Sequence, residues 1–184
     1  MTFLISFLFD TYIFFVVLQM VIKWAAPNYH NPFSDLIAQW VEPLAAPLRK
    51  RLPSIGGLEL ALIVLSLGLE LIKLLLLAWL QAGSFPHPVG LIFWAIGALG
   101  TKVINVFFYA LLIEFIMHWV PNLKQNVVGE IVSQITQPVL GMVRRFLPVG
   151  TGFDFSPIVG MIVLKLIDVL LFGYIVKLGI KMTF

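Results

Sequence analysis

The chain contains no cysteine. Disulfides, thiolate metal sites, covalent c-type haem attachment and thiol nucleophiles are thereby excluded, and the redox compartment is left unconstrained. Charge is equally scarce: 11% of residues are Asp, Glu, Lys or Arg, where a soluble domain carries about a quarter. Histidine occurs only at His30, His87 and His118, in different regions of the chain. No HExxH, no paired ligand spacing and no phosphate-binding loop can be assembled from what remains. Gly150-Thr151-Gly152 is too short for a nucleotide loop and opens an apolar stretch instead. No metal and no cofactor is expected.

What the chain has is apolar surface, with 60% hydrophobic residues and a mean hydropathy of +1.02. Four stretches, 3–23, 58–80, 98–118 and 155–177, can each cross a hydrocarbon core of roughly 30 Å as a helix of about 20 residues. None alternates polar with apolar as the strands of a membrane barrel do. The expected fold is an all-α membrane protein of four transmembrane helices. The first stretch lacks a basic leader and carries Asp10 in its middle, so it reads as a retained span and not a cleaved signal.

The chain also repeats itself. An ungapped offset of 95 positions lays Trp24 on Trp119, Asn31 on Asn126, Gln39 on Gln134, Pro43 on Pro138, Arg49 on Arg144 and Pro53 on Pro148. Lys50 matches Arg145, Asp35 matches Glu130 and Glu59 matches Asp154 in charge, while Asp10 falls on Asn105. A register kept through Pro, Trp and Arg implies duplication. Repeat 1 would cover 1–85 and repeat 2 86–184, together one membrane domain. Two spans per repeat return the chain to its starting side, so the repeats are expected to be parallel. Lys23, Arg49, Lys50, Arg51, Lys124, Arg144 and Arg145 border or lie in the connections 24–57 and 119–154, against Lys177 and Lys181 on the other side. By the positive-inside rule the connections are cytoplasmic and both termini lie outside.

Each connection is expected to hold an amphipathic helix. Asn31-Pro32 is an N-cap followed by a first-turn proline, and Phe33, Leu36, Ile37, Trp40, Val41 and Leu44 recur at helical spacing. After Asn126, Val127, Val128, Ile131, Val132, Ile135 and Val139 do the same, and Pro43 and Pro138 are expected to end the two helices. Such a helix either packs on the bundle end or lies in the headgroup plane. The basic runs Arg49-Lys50-Arg51 and Arg144-Arg145 set topology and can hold anionic lipid headgroups, though they fall short of dedicated clusters. They are too sparse for nucleic acid. Asp154 and Ser156, with Pro157 in the first turn, would start the fourth span, and Glu59 would place a carboxylate at the matching end of the second. Residues 89–97 have no counterpart in repeat 1; an extended helix or a short interfacial piece is expected, with a bend at Gly97 and Gly100.

Within the spans stand Asp10, Glu70, Lys73, Lys102, Lys165 and Asp168. A lone charge at mid-bilayer costs about 2.5–3.5 kcal/mol on insertion scales, so these must be paired or hydrated. Depth counting suggests Asp10 with Lys73 and Lys102 with Asp168, while Glu70 and Lys165, equivalent under the repeat but opposite in sign, are expected to attract each other across the pseudo-twofold axis. The alternatives are an ion path and docking of a membrane partner.

The paired elements Asn31-Pro32, Pro43, Arg49-Lys50-Arg51-Leu52-Pro53 and Asn126, Pro138, Arg144-Arg145-Phe146-Leu147-Pro148, with Asp154-Phe155-Ser156-Pro157, resemble the YggT (YlmG-like) family of bacterial and plastid membrane proteins. The first copy departs from that pattern in lacking the Ser-Pro, and the second has Val127 after its Asn. The resemblance implies no enzymatic activity. It implies an inner-membrane scaffold or assembly factor linked to osmotic tolerance, cell division or membrane-complex biogenesis, with an unidentified membrane partner. A small channel or transporter subunit for ion and osmotic homeostasis is the alternative, and a chain this short would transport only as a homo-oligomer.

Overall fold

A computed structural model describes residues 2–26, 32–83, 86–120, 126–146 and 154–183. Asn31 and Pro148, both singled out above, lie outside the described residues, as do His30, Lys124 and residues 150–152.

Among the described residues, four helices are long and apolar enough to cross a membrane. Helix α1 spans Thr2–Ala25, α2 Pro32–Arg49, α3 Leu60–Ala82, α4 Pro88–Trp119 and α5 Val127–Arg144. The last span is built from α6 (Ser156–Ile167), a π-helical turn (Asp168–Phe172) and α7 (Gly173–Thr183). A two-stranded hairpin, β1 (Ser54–Ile55) and β2 (Leu58–Glu59), precedes α3. The second span therefore starts at Leu60, not at 58. Gly56 and Gly57 turn the hairpin at φ 60° and 83°, a two-residue loop only glycine-like backbones accept readily.

Helix α4 organises the molecule, packing against α1, α3, α5, α6 and α7. One core joins Ile13 and Val17 of α1, Ile37 and Val41 of α2, Leu62 of α3, Ala110 and Met117 of α4, and Ile131 and Ile135 of α5. A second, smaller one joins Ile104 and Leu111 of α4 to Leu140 and Leu164. Helices α2 and α5 thus each bury one face on the bundle. On α2 the remaining apolar residues Leu36, Trp40 and Leu44 stay exposed, one turn apart.

Both prolines expected to end these helices lie inside them. Proline removes one N–H but keeps a helical φ, and the turns beyond still have a face to bury: Ala45 beyond Pro43 and Leu140 beyond Pro138. That packing outweighs the lost hydrogen bond. Asn126 does cap α5, its Oδ1 accepting from Gly129 N at 2.8 Å.

Residues 89–97 form the first turns of α4, which runs unbroken for 32 residues. Gly97 and Gly100 mark no break in it; they are points of close approach. A Cβ on Gly100 would lie 2.1 Å from the Phe172 ring, and one on Gly97 2.9 Å from Val176 N. A Cβ on Gly179 would meet Trp94 backbone at 2.3 Å, and one on Gly90 would meet Thr183 backbone at 2.6 Å. The α4–α7 contact is nearly backbone on backbone, the small-residue packing that membranes favour where no hydrophobic drive exists between helices. His87 N donating to Thr183 O at 3.4 Å places the start of α4 beside the end of α7.

Candidate functional site

Four of the six charges within the spans form one closed ring. Lys73 Nζ lies 2.8 Å from Asp10 Oδ1 and 2.5 Å from Glu70 Oε1. Lys102 Nζ lies 3.0 Å from the same Asp10 oxygen and 3.0 Å from Glu70 Oε2. Each acid touches both lysines and each lysine both acids, so the ring is neutral and its signs alternate. Three helices supply it: α1 gives Asp10, α3 gives Glu70 and Lys73 one turn apart, and α4 gives Lys102.

Burial is uneven around the ring. The Glu70 side chain is 0% exposed, whereas that of Asp10 is 45% exposed. Beside the ring an open groove of about 450 Å³ runs between α1, α3 and α4, bordered by Ser6, Phe14, Trp94, Asn105 and Tyr109. A carboxylate half-exposed within a span meets no hydrogen-bond donor in lipid, so something other than acyl chains must face it.

The expected Asp10–Lys73 contact is present; the other two are not. Lys102 turns to Asp10 and Glu70 rather than to Asp168, and Glu70 takes both ring lysines rather than Lys165. Lys165 instead donates to Asn105 Oδ1 at 2.7 Å and to Asp168 Oδ2 at 3.2 Å, under the Phe108 ring. The reason lies on α4. Three residues from Lys102 to Asn105 rotate the helix surface by about 60°. One therefore meets α1 and α3, while the other meets the last span. Asp168 also opens the π-helical turn, where Gly173 N donates to its carbonyl.

Sequence reasoning missed Glu114, a seventh charge within the spans, which is buried and accepts from Ser133 Oγ at 2.9 Å. The offset of 95 pairs it with Gln19, also buried, and that pairing was the available signal. Neither amide atom of Gln19 has a hydrogen-bond partner among the described residues.

At the opposite end of the spans the two arginine motifs split in role. Arg49 Nε donates to Glu59 Oε2 at 2.8 Å, and Glu59 also takes Lys23 Nζ at 2.7 Å and Arg49 binds Glu42. Arg144 Nη2 donates to Asp154 Oδ2 at 2.6 Å, and Asp154 Oδ1 accepts from Ser156 N at 2.9 Å, with Pro157 in the first turn of α6. Each arginine clips the end of α2 or α5 to the start of the next span. Lys50, Arg51 and Arg145 point outward and Pro53 follows in the chain as the link to the hairpin. Burial alone would raise the Glu59 carboxyl, but Lys23 and Arg49 hold it below its ordinary value. Burial would likewise raise Asp154; Ser156 and Arg144 outweigh it and bring it down to about 2. A depressed acid stabilises fully above its unfolded value and loses that contribution as pH falls through its folded one. The Asp154 clip therefore weakens only below about pH 4 and is lost near 2.

The comparisons follow this architecture along the chain. The family model described as CCB3/YggT matches residues 1–80 and 93–175, on either side of the α3–α4 connection and the first turn of α4. An uncharacterized protein of Pseudomonas aeruginosa is 33% identical over 160 residues, covering 86% of this chain and 81% of its own. One encoded in the proC 3′ region of Vibrio alginolyticus is 31% identical over 172 residues, 93% of this chain and 92% of the relative. The uncharacterized protein YggT of Escherichia coli (strain K12) is 30% identical over 170 residues, 91% and 87%. No solved structure matches the chain. With the family model spanning both halves of the molecule and relatives aligned nearly end to end, the chain belongs to the CCB3/YggT family.

Proposed function

We propose that this protein is a non-enzymatic scaffold or assembly component of the bacterial inner membrane, whose spans carry a docking site for another membrane protein. The observation that carries this reading is the ring: neutral within itself, yet open on one side, where Asp10 is half-exposed beside a groove bordered by Ser6, Asn105 and Tyr109 as well as by apolar side chains. A partner span offering a hydrogen-bond donor would cover it. A conduction path is the second reading, favoured by the same groove. Against it stands the pairing, because every ring charge already has two opposite neighbours and none is left to bind a passing ion. Osmotic tolerance, division and membrane-complex biogenesis are the settings in which the family resemblance would place such a scaffold.

The proposal includes the architecture. Two parallel two-span repeats would each carry an amphipathic helix on the cytoplasmic face, α2 and α5, and the matching Arg49–Glu59 and Arg144–Asp154 clips support that equivalence. The exposed row Leu36, Trp40 and Leu44 suits the headgroup plane, with Lys50, Arg51 and Arg145 against anionic lipid. Reporters fused at either terminus are expected to report the outer compartment, and cysteines at Gln39 and Gln134 to label only from the cytoplasm. Termini on opposite sides would require an odd number of spans and end this layout.

The partner reading is tested by a photo-crosslinking residue placed at Ser6 or Tyr109 in the groove, with Leu170 on the exposed face of the last span as control. In native membranes the groove positions should give an adduct of one discrete mass, absent at Leu170 and lost with Asp10→Leu. Identical patterns at groove and control positions would contradict it.

A further inference from the structure

A second groove, separate from the charge ring, lies between α5 and α6. It holds about 500 Å³ and is lined by Val139, Met142 and Phe146 on one side and Gly160, Val163 and Ile167 on the other, with no polar surface. Gly160, Val163 and Ile167 recur about once per turn, so the trough follows α6 inward for roughly 10 Å at 1.5 Å per residue. Its floor is Gly160, where a Cβ would sit 3.1 Å from Leu111 Cδ1 and 3.6 Å from Val139 Cγ1. At its mouth Phe146 is 87% exposed. Arg145, the next residue, is exposed and has no acidic partner among the described residues, whereas Arg144 is engaged by Asp154.

We propose that this trough binds one acyl chain of an anionic phospholipid whose phosphate is held by Arg145. Shape and charge both point to it. Spread over roughly 10 Å of length, the volume gives a cross-section of about 50 Å². A helix 10–12 Å across needs about 80 Å² or more. The trough therefore takes a hydrocarbon chain and not a partner helix. An arginine without a carboxylate, placed where the apolar lining ends at the border of the span, matches a phosphate by charge and by its forked donors. The two arginines of this motif thereby have different roles at adjacent positions: Arg144 holds the fold, and Arg145 holds a ligand.

The test is native mass spectrometry of the purified full chain, offered phosphatidylglycerol or phosphatidylcholine at equal concentration. One phosphatidylglycerol should be retained under activation that strips phosphatidylcholine. Gly160→Leu, which raises the floor, and Val163→Trp, which fills the trough from the exposed side, should each abolish that retention. Arg145→Gln should cut the preference at least five-fold, toward the phosphatidylcholine level. Leu170→Trp, on the exposed face of the last span, should leave it unchanged, and Val163→Trp serves if Gly160→Leu fails to fold. Equal retention of both lipids, or undiminished retention in Val163→Trp, would overturn the proposal. So would disulfide-linked dimers of Val163→Cys in native membranes, which would assign the trough to a second copy.

Discussion

Removal of Lys73 alone is expected to lower the detergent melting temperature by about 10 °C, and removal of either ring acid with it to recover most of that loss. Lys73→Leu leaves Asp10 and the fully buried Glu70 sharing one ammonium. Breaking a buried pair by deleting one partner costs about 3–5 kcal/mol, and in a chain of this size each kcal/mol is worth about 2–4 °C. The contacts themselves are worth much less, about 0.6 kcal/mol on average within membranes. The orphaned charge, not the lost bond, therefore sets the magnitude. Because each acid touches both lysines, deleting any one acid with any one base leaves a neutral pair at 2.5–3.0 Å. The doubles Asp10→Leu/Lys73→Leu and Asp10→Leu/Lys102→Leu should both recover stability. Asp10→Leu/Glu70→Leu, which leaves two lysines facing each other, should melt lowest of all. If Asp10→Leu/Lys102→Leu were merely additive, the ring would reduce to separate pairs.

Gly179→Ala is expected to be nearly as damaging, although it adds a single methyl group to a helix. The new Cβ would meet Trp94 N at 2.3 Å and Gly90 O at 2.9 Å, and backbone cannot step aside as a side-chain tip can. Overpacking costs about 1–3 kcal/mol when side chains can yield, and the upper end is expected here because α4 and α7 must separate. Glycines elsewhere supply the opposite sign. Nothing lies within 4 Å of a Cβ on Gly68 or Gly141, both inside helices. Gly141→Ala should therefore stabilise by roughly 0.5–1 kcal/mol through helix propensity alone. Melting curves of the two variants in one detergent decide the matter. Equal effects at Gly179 and Gly141 would mean that α4 and α7 are not in contact.

The four apolar helices were legible in the sequence, because hydrophobic length and composition report on what each helix is. They do not report on the direction in which it faces. Asp10 and Lys73 could be paired from depth alone, since α1 offers one acid and α3 one base. Lys102 and Asp168 lie at comparable depths too, but the azimuth of α4 decides between neighbours, and azimuth is set by packing around Gly97 and Gly100. Pro43 and Pro138 looked like helix ends because local propensity penalises them; the buried faces of Ala45 and Leu140 override that penalty. The Gly56-Gly57 hairpin carried its signal openly, yet it sat at the edge of an apolar run that masked it. Glu114 escaped notice for want of a charged counterpart, the offset placing uncharged Gln19 opposite it.

A ring of charges neutralised from within should not conduct, and flux through reconstituted protein is where that is decided. Purified chain in sealed liposomes, held under imposed potassium and proton gradients across a range of pH, should show no flux above empty vesicles. Asp10→Asn should change nothing in that assay while abolishing the groove adduct. Reproducible flux from the wild-type protein, lost with Asp10→Asn or Lys102→Met, would make the ring part of a conduction path and contradict a scaffold held together by sealed charge.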